Sequence, residues 1–365
     1  MAICKKCVMI SSLPNSNFNA AGECYWCQTD FPNYKPKGDE KLVELLTTHR
    51  SKTSAADCLV GISGGKDSTY ALMTLKDTYG LNVEGFTYVH EASLPISVEN
   101  AKKVCANLGV KHHIVSLPNQ LHAKTFKDFF RAWLAHPSLV SAAMTCVACK
   151  HLHILGFELA KERNIPMIVW ASTPLECPPF LALELKGGNG KDYQRSNMTD
   201  SAANMIKEMV HSPKFTQGVV KYFSTCYQGC MAVDPASNYL KSKYPSVTPV
   251  MIFNYLDWDP KKIIPEITKK GWVKPVKSGE DWHSDCLYHY FKEYMFRKML
   301  GVSYLDAHLS NQIRYGLLTR DEAIQSLEEN KRLFVKEMPL AIKELQMDDI
   351  ADQIDYRPWL TGGEY

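Results

Sequence analysis

Apolar runs and amphipathic stretches alternate along the first half of the chain. Short apolar runs predict buried strands at residues 58–62, 83–89, 111–117 and 166–171. Apolar residues recur at helical spacing over residues 41–46, 69–79, 97–108, 126–135 and 151–163. Strands that alternate with helices in this way are typical of a doubly wound parallel sheet. The predicted fold class is therefore α/β, with ligands expected at the carboxyl ends of the strands.

The two ends of the chain have a different character. Residues 1–40 are punctuated by Asn, Gly and Pro and cannot build a core of their own. Residues 247–365 are predicted to be mainly helical, with helices beginning at Pro260 and covering 282–300 and 319–329. We therefore expect three parts, namely a zinc knuckle at 1–40, the α/β domain at 41–246 and a helical region at 247–365. The Gly-rich stretch 183–201 is predicted to be an active-site loop or a plain surface excursion.

Composition argues against several classes of protein. The 365 residues carry a net charge of only +3 and no Lys/Arg-rich stripe, which argues against a nucleic-acid partner. No apolar run approaches the ~20 residues of a membrane-spanning helix, and the N-terminus lacks the apolar centre of a signal peptide. We expect a cytoplasmic protein. Its 12 cysteines should then be reduced, and are better explained as metal ligands or reactive thiols than as disulfides.

Four cysteines near the N-terminus have the spacing of a metal-binding knuckle pair. Cys4 and Cys7 form one Cys-x2-Cys pair, and Cys24 and Cys27 form the second. Four thiolates at this spacing suit tetrahedral Zn²⁺, with each pair supplied by a tight turn. A structural zinc site is therefore predicted, and a disulfide pair or a redox-active dithiol is the alternative.

The most specific motif joins the first predicted strand to the helix that follows it. Residues 63–68 read Ser-Gly-Gly-Lys-Asp-Ser. A Gly-rich turn between a strand and a helix gathers backbone N–H groups beside the positive end of the helix dipole, and this arrangement binds phosphate. The spacing differs from that of a Walker loop. It resembles the PP-loop of the ATP-pyrophosphatase superfamily, whose members cleave ATP to AMP and pyrophosphate.

The PP-loop resemblance implies a role for each residue of the motif. The residues that would cradle the pyrophosphate are Ser63, Gly64, Gly65 and Ser68. Lys66 would neutralise the charge that builds on the phosphates, and Asp67 would orient the Mg²⁺ that accompanies ATP or, alternatively, cap the helix. Two positions at the ends of predicted strands are added to the ATP site: Tyr88, for which core packing is the alternative, and Ala171. The expected cofactors are ATP, Mg²⁺ and Zn²⁺.

A knuckle pair followed by a PP-loop is an uncommon combination. The chain resembles the N-acetyl sugar amidotransferases of bacterial surface-polysaccharide and flagellar-sugar biosynthesis, which have similar lengths and often begin with a Cys-x2-Cys-Val-Met knuckle, as residues 4–9 do here. The resemblance continues at residues 149–151, 164–170, 257–260, 271–272, 283–286, 307–310 and 316–323. The C-terminal segments discriminate best, because tRNA-modifying relatives lack them.

This resemblance implies an ATP-dependent amidotransferase. The carbonyl oxygen of an N-acetyl group on a sugar would attack the α-phosphorus of ATP, and ammonia would then displace AMP to leave an acetamidino group. No glutaminase is recognisable in the chain, so a separate glutaminase subunit would supply the ammonia. His283 and Asp285 are predicted to bind the substrate, with local helix capping as the alternative for this segment, and Cys149 and Cys286 are predicted to be reactive thiols.

Two other functions compete with this one. The chain also resembles the tRNA thiolases, which combine a knuckle, a PP-loop and a later Cys-x2-Cys, here Cys146 and Cys149, with Cys226 or Cys230 as a third thiolate. Three such thiolates would hold an iron–sulfur cluster with one open iron, or one of them would carry a persulfide for the thiolation of a small molecule or tRNA. Otherwise Cys146 and Cys149 are small buried side chains at a helix start. The third function is an ATP-binding scaffold that catalyses nothing and contacts a partner through its knuckle.

Overall fold

The computed structural model describes residues 2–29, 31–53, 55–177, 198–275 and 285–355. The strands are β1 (Cys58–Gly61), β2 (Val83–Tyr88), β3 (Lys111–Val115), β4 (Met167–Trp170) and β5 (Thr248–Met251). The helices of the first half are α1 (Tyr25–Gln28), α2 (Asp39–Thr48), α3 (Lys66–Met73), α4 (Pro95–Asn107), α5 (Leu121–Ala135), α6 (Leu139–Met144) and α7 (His151–Glu162). The helices of the second half are α8 (Met198–His211), α9 (Pro213–Lys221), α10 (Phe223–Met231), α11 (Asn238–Lys243), α12 (Pro260–Thr268), α13 (Tyr288–Leu300), α14 (Tyr304–Tyr315) and α15 (Arg320–Glu344). Among these helices, none combines the length and the apolar character needed to cross a bilayer.

The five strands of the described segments form one parallel sheet in the order β3-β2-β1-β4-β5. β1 is central, with Val60 opposite Gly85 on β2 and Val169 on β4. Neighbouring residues of a strand point to opposite faces, so Cys58 and Val60 pack into one core and Leu59 into another. Helices α2, α3, α4 and α12 contribute to the first core, and α7 and α11 to the second. The predicted doubly wound α/β fold is confirmed.

The edge strand β5 was not predicted from the sequence. Its four residues are Thr-Pro-Val-Met, and a proline lacks the N–H group that a central strand must donate. At the edge of the sheet Pro249 is tolerated, because one side of β5 has no neighbour among the described strands. β5 lies just beyond residue 246, where the sequence analysis ended the α/β domain. The sheet thus reaches residue 251, and the division of the chain into three parts remains a prediction.

Several helices differ from the sequence prediction. α5 begins at Leu121 rather than at residue 126, and α15 continues through Pro339 to Glu344 rather than ending at residue 329. The helices between residues 198 and 243, and α14, were not predicted. Of the predicted loop 183–201, positions 183–197 lie outside the described residues and the last four belong to the backbone of α8. The predicted helix start at 282–284 also lies outside them, and α13 begins at Tyr288.

The N-terminal knuckle is covered by C-terminal helices. Its cysteines and Trp26 share one core cluster with residues of α5, α13 and α15. Val8 packs in a second cluster with Leu305 and Leu327, and its N–H donates to Ser310 Oγ at 3.4 Å. The first segment of the chain therefore has little core of its own, as expected, and packs into that of the last segment.

Candidate functional site

Gly64 determines the conformation of the PP-loop. Its φ is +83°, in the left-handed region that glycine adopts without a steric penalty. A Cβ atom on Gly64 would lie 1.8 Å from the backbone oxygen of Ser97, in the first turns of α4. The loop therefore passes directly against α4, and glycine is the residue that leaves room for this approach.

The two serines of the loop hold each other in place. The N–H of Ser63 donates to Ser68 Oγ at 3.2 Å, and Ser68 Oγ donates to the carbonyl oxygen of Gly65, also at 3.2 Å. The N–H of Gly65 donates to Ser63 Oγ at 3.2 Å. Helix α3 begins directly afterwards, at Lys66, and its N-cap residue is Gly65, which has no side chain to bond the first turn. The loop and the helix end together have the form of an anion-binding turn.

Lys66 and Asp67 form an ion pair at the start of α3. Lys66 Nζ lies 3.1 Å from Asp67 Oδ2, and the two side chains are only 6% and 15% exposed. Asp67 Oδ1 accepts a hydrogen bond from the indole N–H of Trp258 at 2.7 Å. The alternative role of Asp67 as a helix cap is therefore wrong, because its oxygens face Lys66 and Trp258 rather than the backbone of α3.

A second tryptophan holds the loop from the side of α4. The indole N–H of Trp272 donates to the carbonyl oxygen of Gly64 at 2.9 Å. The side-chain amide of Asn100, on α4, donates to the carbonyl oxygen of Val273 at 2.8 Å and lies 3.5 Å from that of Gly64. The sequence carries no local signal for these contacts, since Trp272 is 208 positions from Gly64 and Trp258 is 191 positions from Asp67.

The loop forms one wall of a cavity of about 390 Å³. The predicted site residues that line this cavity are Ser63, Gly65, Lys66, Asp67, Ser68, Tyr88, Cys149, Ala171, Asp285 and Cys286. Tyr88 and Ala171 come to it because they end or follow parallel strands, whose carboxyl ends share one edge of the sheet. Gly64 lies behind the loop, against α4, and His283 lies outside the described residues.

Several thiols and lysines also line the cavity. They are Cys146, Cys149, Cys286, Lys150 and Lys292. Burial raises the pKa of Cys149, and burial together with the nearby Asp285 raises the pKa of Cys286 well above its ordinary value. Burial also lowers the pKa of Lys150, against the opposing effect of Cys149. The thiols of Cys149 and Cys286 are therefore protonated at neutral pH until a ligand or metal displaces the proton.

The candidates for a third thiolate need a correction. Cys226 and Cys230 lie on α10, where Cys230 Sγ is 3.9 Å from the sulfur of Met144, and neither is among the described residues that line the cavity. Cys286 does line it, because the chain at this position pairs with Ser93 in an antiparallel bridge just beyond β2. A set of three cavity thiols therefore comprises Cys286 rather than Cys226 or Cys230.

Two carboxyl groups of the cavity have raised pKa values. Burial, and secondarily the neighbouring Asp67, raises the pKa of Glu176 to about 8. Burial raises the pKa of Asp285, although a hydrogen bond with Ser63 opposes this shift. Glu176 was missed by the sequence analysis. Its local signal is a Thr-x2-Glu capping box after β4, in which the N–H of Thr173 donates to Glu176 Oε2 at 3.4 Å.

Two imidazoles and two phenols form a cluster in the wall of the same cavity. They are His90, His122, Tyr88 and Tyr288. Tyr88 Oη lies 3.0 Å from His122 Nδ1, and the ring of His122 lies 4.4 Å from that of His90 and 5.1 Å from that of Tyr288. Burial lowers the pKa of His90 to about 4 and lowers that of His122 well below 6.5, so both are neutral at pH 7. His122 was not among the predicted site residues, because the predicted helix begins at residue 126, five residues after the start of α5 at Leu121.

The four N-terminal cysteines converge as predicted. Their sulfur atoms all lie within 4.8 Å of one another, with Cys4 Sγ 3.8 Å from Cys27 Sγ and Cys7 Sγ 3.6 Å from Cys24 Sγ. A tetrahedral site with Zn–S bonds of about 2.3 Å needs sulfur separations of about 3.8 Å, so the cluster fits Zn²⁺. Arg314 Nη1 lies 3.4 Å from Cys7 Sγ and 3.7 Å from Cys27 Sγ, where it offsets part of the charge of four thiolates.

Helix α14 connects the knuckle to the cavity. Arg314 donates to the side-chain oxygen of Asn311, one turn earlier on the helix. Asn311 Nδ2 in turn donates to the carbonyl oxygens of Leu175 and Cys177, at 2.9 and 3.0 Å. These two residues flank Glu176, so the metal cluster and one wall of the cavity share a chain of hydrogen bonds.

One family model matches part of the chain. Residues 57–129 match the model of the queuosine biosynthesis protein QueC. This segment contains β1 and the PP-loop. The match therefore supports the PP-loop ATP-pyrophosphatase superfamily, whose members are ATP-using enzymes. No curated protein sequence is significantly similar to the chain.

Three solved structures that match the chain are distant from it. An NMN synthetase from Francisella tularensis is 12% identical over 82% of this chain and 92% of its own, with a TM-score of 0.37. The U34-tRNA thiolase NcsA from Methanococcus maripaludis, with its 4Fe-4S cluster, is 12% identical over 95% and 89%, with a TM-score of 0.33. A glutamine-dependent NAD⁺ synthetase from Acinetobacter baumannii in complex with ADP is 17% identical over 34% of this chain, which spans 23% of that protein, with a TM-score of 0.28. At these scores the similarities carry no argument about the site.

Proposed function

We propose that this chain is an ATP-dependent amidotransferase that acts on the N-acetyl group of a sugar and releases AMP and pyrophosphate. The observation that carries the proposal is the shared cavity, where the PP-loop forms one wall and the neutral side chains Tyr88, His90 and His122 form part of another. Such a cavity suits ATP beside an uncharged amide. The family-model match supports the use of ATP, and the choice of acceptor rests on the resemblance of the C-terminal segments.

The first step activates the amide. Its carbonyl oxygen attacks the α-phosphorus of ATP, so a carbon–oxygen–phosphorus link forms while the bond to pyrophosphate breaks. Lys66 is placed to neutralise the charge that develops on the leaving pyrophosphate, beside the loop N–H groups. After bonding to Lys66 and Trp258, each oxygen of Asp67 keeps a further lone pair. Asp67 therefore retains capacity for the Mg²⁺ that ATP brings, which supplies further neutralisation of the phosphates.

The second step replaces oxygen by nitrogen. Ammonia adds to the activated carbon and loses a proton, and AMP then leaves with the former carbonyl oxygen, so the product is an acetamidino group. The ammonia comes from a separate glutaminase subunit. The acetyl oxygen must end in AMP, so an oxygen isotope placed in the acetyl group can be followed through the reaction.

An isotope experiment tests this function. The full chain is incubated with ATP, Mg²⁺, ammonium and a panel of free and nucleotide-linked N-acetyl sugars labelled with ¹⁸O in the acetyl carbonyl. We expect one equivalent of ¹⁸O-labelled AMP for each acetamidino sugar formed. Lys66→Met should abolish both products, whereas Lys161→Met, an exposed lysine on α7 outside the cavity, should form them at the rate of the unaltered chain. AMP without label, or no AMP with any sugar, would contradict the proposal.

Sulfur transfer is the second candidate function. The observation that favours it is the presence of Cys146, Cys149 and Cys286 in the wall of the PP-loop cavity. Three thiolates there would hold an iron–sulfur cluster or pass a persulfide sulfur to the adenylated acceptor, on a small molecule or on tRNA. In the persulfide route the outer sulfur would attack the adenylated carbon and displace AMP. A second of the three thiolates would then attack the cysteine sulfur of the S–S bond, releasing the thiolated product and leaving a disulfide between the two cysteines.

Metal analysis separates the two functions. On protein purified without oxygen, sulfur transfer through a cluster requires iron and labile sulfide in addition to zinc, and their content should fall in Cys286→Ser but not in Cys230→Ser, which alters an exposed thiol of α10. Amidotransfer requires zinc alone, with acetamidino product formed from ammonium in the Cys286→Ser variant.

A further inference from the structure

Three buried polar atoms of residues that line the cavity have no hydrogen-bond partner among the described residues. They are Trp170 Nε1, at the end of β4, and a pair in the aromatic cluster, His122 Nε2 and Tyr288 Oη. Both residues of this pair are only 1% exposed, and both line the cavity that contains the PP-loop. A buried polar group without a partner lowers the stability of the fold, so such atoms in a cavity wall indicate a ligand that supplies the missing bond.

The imidazole of His122 is held so that its Nδ1 has a partner and its buried Nε2 has none among the described residues. Its Nδ1 lies 3.0 Å from Tyr88 Oη, and this contact fixes the plane of the ring. The chain reaches His122 through Asn119 and Gln120, which both have left-handed backbone conformations with φ of 56° and 55°. Consecutive left-handed residues other than glycine are strained, and such strain concentrates at functional sites. The backbone turn at Asn119 and Gln120 places His122 in the first turn of α5, at the edge of the sheet.

The phenol of Tyr288 is equally constrained. Phe126 stacks on it with a centroid separation of 3.8 Å, and His90 lies parallel to it at 5.6 Å. Tyr288 can therefore offer its hydroxyl group to a ligand but not its faces. It lies three residues after Asp285, whose side chain hydrogen-bonds to Ser63 of the PP-loop. The short segment 285–288 thus runs from the nucleotide loop to the aromatic cluster.

The surroundings of these atoms favour an uncharged ligand group. Burial keeps His90 and His122 neutral at pH 7 by lowering their pKa values, and it raises the pKa of Tyr288, so that its hydroxyl stays protonated. A neutral imidazole and a phenol can each donate one hydrogen bond or accept one. An amide group, with one donor and one acceptor, matches this pair.

We propose that His122 Nε2 and Tyr288 Oη form the acceptor subsite, where they bind the amide of the molecule that is activated by ATP. This inference rests on the proposed function for the statement that the acceptor is an N-acetyl group. His122 and Tyr288 would recognise this group as binding residues, and they would not be parts of the nucleotide site.

Matched substitutions at both positions test the subsite. Tyr288→Phe removes the hydroxyl and keeps the packing, with Tyr290→Phe as its control, since Tyr290 lies on the same helix but does not line the cavity. His122→Asn keeps a polar atom near the position of Nδ1 and removes Nε2, whereas His122→Gln retains a polar atom near the position of Nε2. Binding is measured by calorimetry on the full chain loaded with a non-hydrolysable ATP analogue and Mg²⁺, with N-acetylglucosamine, glucosamine and N-methylacetamide as probes.

We expect the unaltered chain to bind both amides and not glucosamine. The Kd for the amides should rise about tenfold in Tyr288→Phe and in His122→Asn, and much less in Tyr290→Phe and His122→Gln. The Kd for the ATP analogue should stay constant throughout, which a general loss of structure would not allow. Unchanged amide binding in Tyr288→Phe and His122→Asn, or no binding of either amide by the unaltered chain, would overturn the subsite.

The outcomes for the subsite and for the proposed function are distinguishable. If the amides bind as expected but no N-acetyl sugar yields labelled AMP, the result supports the amide-binding subsite and contradicts the amidotransferase activity. If labelled AMP forms with an unchanged KM for the sugar in Tyr288→Phe and His122→Asn, the result supports the amidotransferase activity and contradicts the amide-binding subsite.

Discussion

The indole N–H of Trp258 donates to Oδ1 of Asp67 at 2.7 Å, across 191 positions of the chain. The same indole ring lies 5.3 Å from Lys66 Nζ, measured to the ring centroid. Trp258 therefore contacts both members of the ion pair at the head of α3, and the segment before α12 takes part in the proposed nucleotide site.

Trp258→Phe should impair catalysis by removing this donor. A hydrogen bond to a charged group contributes about 1.5–3 kcal/mol, so we expect ATP-dependent pyrophosphate release to fall about 10- to 100-fold. Pyrophosphate release is measured with a coupled assay at saturating ATP. Trp133→Phe is the control, because the indole N–H of Trp133 contacts the sulfur of Met299 at 3.4 Å in the core outside the cavity. It should lower the melting temperature without changing the rate per folded molecule.

Gly64→Ala should abolish ATP binding. A Cβ at this position would lie 1.8 Å from Ser97 O, so the loop must move away from α4. We expect no detectable binding of an ATP analogue by calorimetry. Gly109→Ala is the matched control, because Gly109 also has a positive φ, of +61°, but a Cβ there would meet nothing within 4 Å. It should cost about 1 kcal/mol of stability and leave binding unchanged, and equal binding in both variants would refute the role of Gly64.

The pKa of Glu176 predicts a pH dependence. This pKa is raised from 4.5 to about 8, so between these pH values the folded state holds a proton that the unfolded state has lost. The stability of the fold should therefore decrease as the pH rises from 4.5 to 8. Above pH 8 the ionised carboxylate would repel the phosphates, and the affinity for ATP should fall about tenfold. Both trends are measured by urea unfolding and by calorimetry.

Glu176→Gln should remove both trends, because the amide keeps an oxygen for the N–H of Thr173 but does not ionise. Glu322→Gln is the contrasting variant. Glu322 also belongs to a capping box, but it is exposed, and hydrogen bonds from Thr319 lower its pKa. Its contribution to stability is lost only at acidic pH, and ATP affinity should not change. An unaltered pH profile in Glu176→Gln would contradict this assignment.

Removal of the knuckle metal should affect both ends of the molecule. We expect about one zinc per chain by mass spectrometry, and a lower melting temperature after chelation, because the four cysteines share a core with α13 and α15. Cys24→Ser should reproduce this loss, whereas Cys230→Ser, at an exposed thiol, should retain the metal. A stable protein after chelation would show that the knuckle has no structural role.

Arg314→Met should retain the metal but weaken ATP binding about threefold, since it breaks the hydrogen-bond chain to the segment around Glu176.

The predictable parts of the molecule are those with local signals. The order of β1 to β4 with their helices, the PP-loop and the four-cysteine cluster all follow from residues close together in the sequence. β5 was missed because Pro249 weakens a short strand pattern, and α5 was started too late because its first turn lacks an acidic or hydrogen-bonding cap. Tertiary packing decides both cases, and single-sequence patterns do not contain it.

The site contacts that escaped prediction join distant parts of the chain. Spacing from Cys149 favoured Cys226 or Cys230 as a third cavity thiol, but the bridge between Ser93 and Cys286 brings residue 286 to the sheet edge instead. Likewise no residue close to Asp67 in the sequence indicates that Trp258 contacts it. These pairings depend on how the last third of the chain folds over the sheet, which no local pattern encodes.

The contact between Val8 and Ser310 also bears on the order in which the molecule is made. The ligands of the knuckle span only residues 4–27, so this segment can bind its metal soon after leaving the ribosome. Helix α14, which carries Ser310 and covers Val8, follows about 300 residues later, a delay on the order of 15 to 60 seconds at ordinary rates of synthesis. During that time Val8, fully buried in the folded protein, remains in contact with water. The knuckle segment can therefore hold its metal before the helices that bury Val8 exist, and its packing is complete only once α14 and α15 have been made.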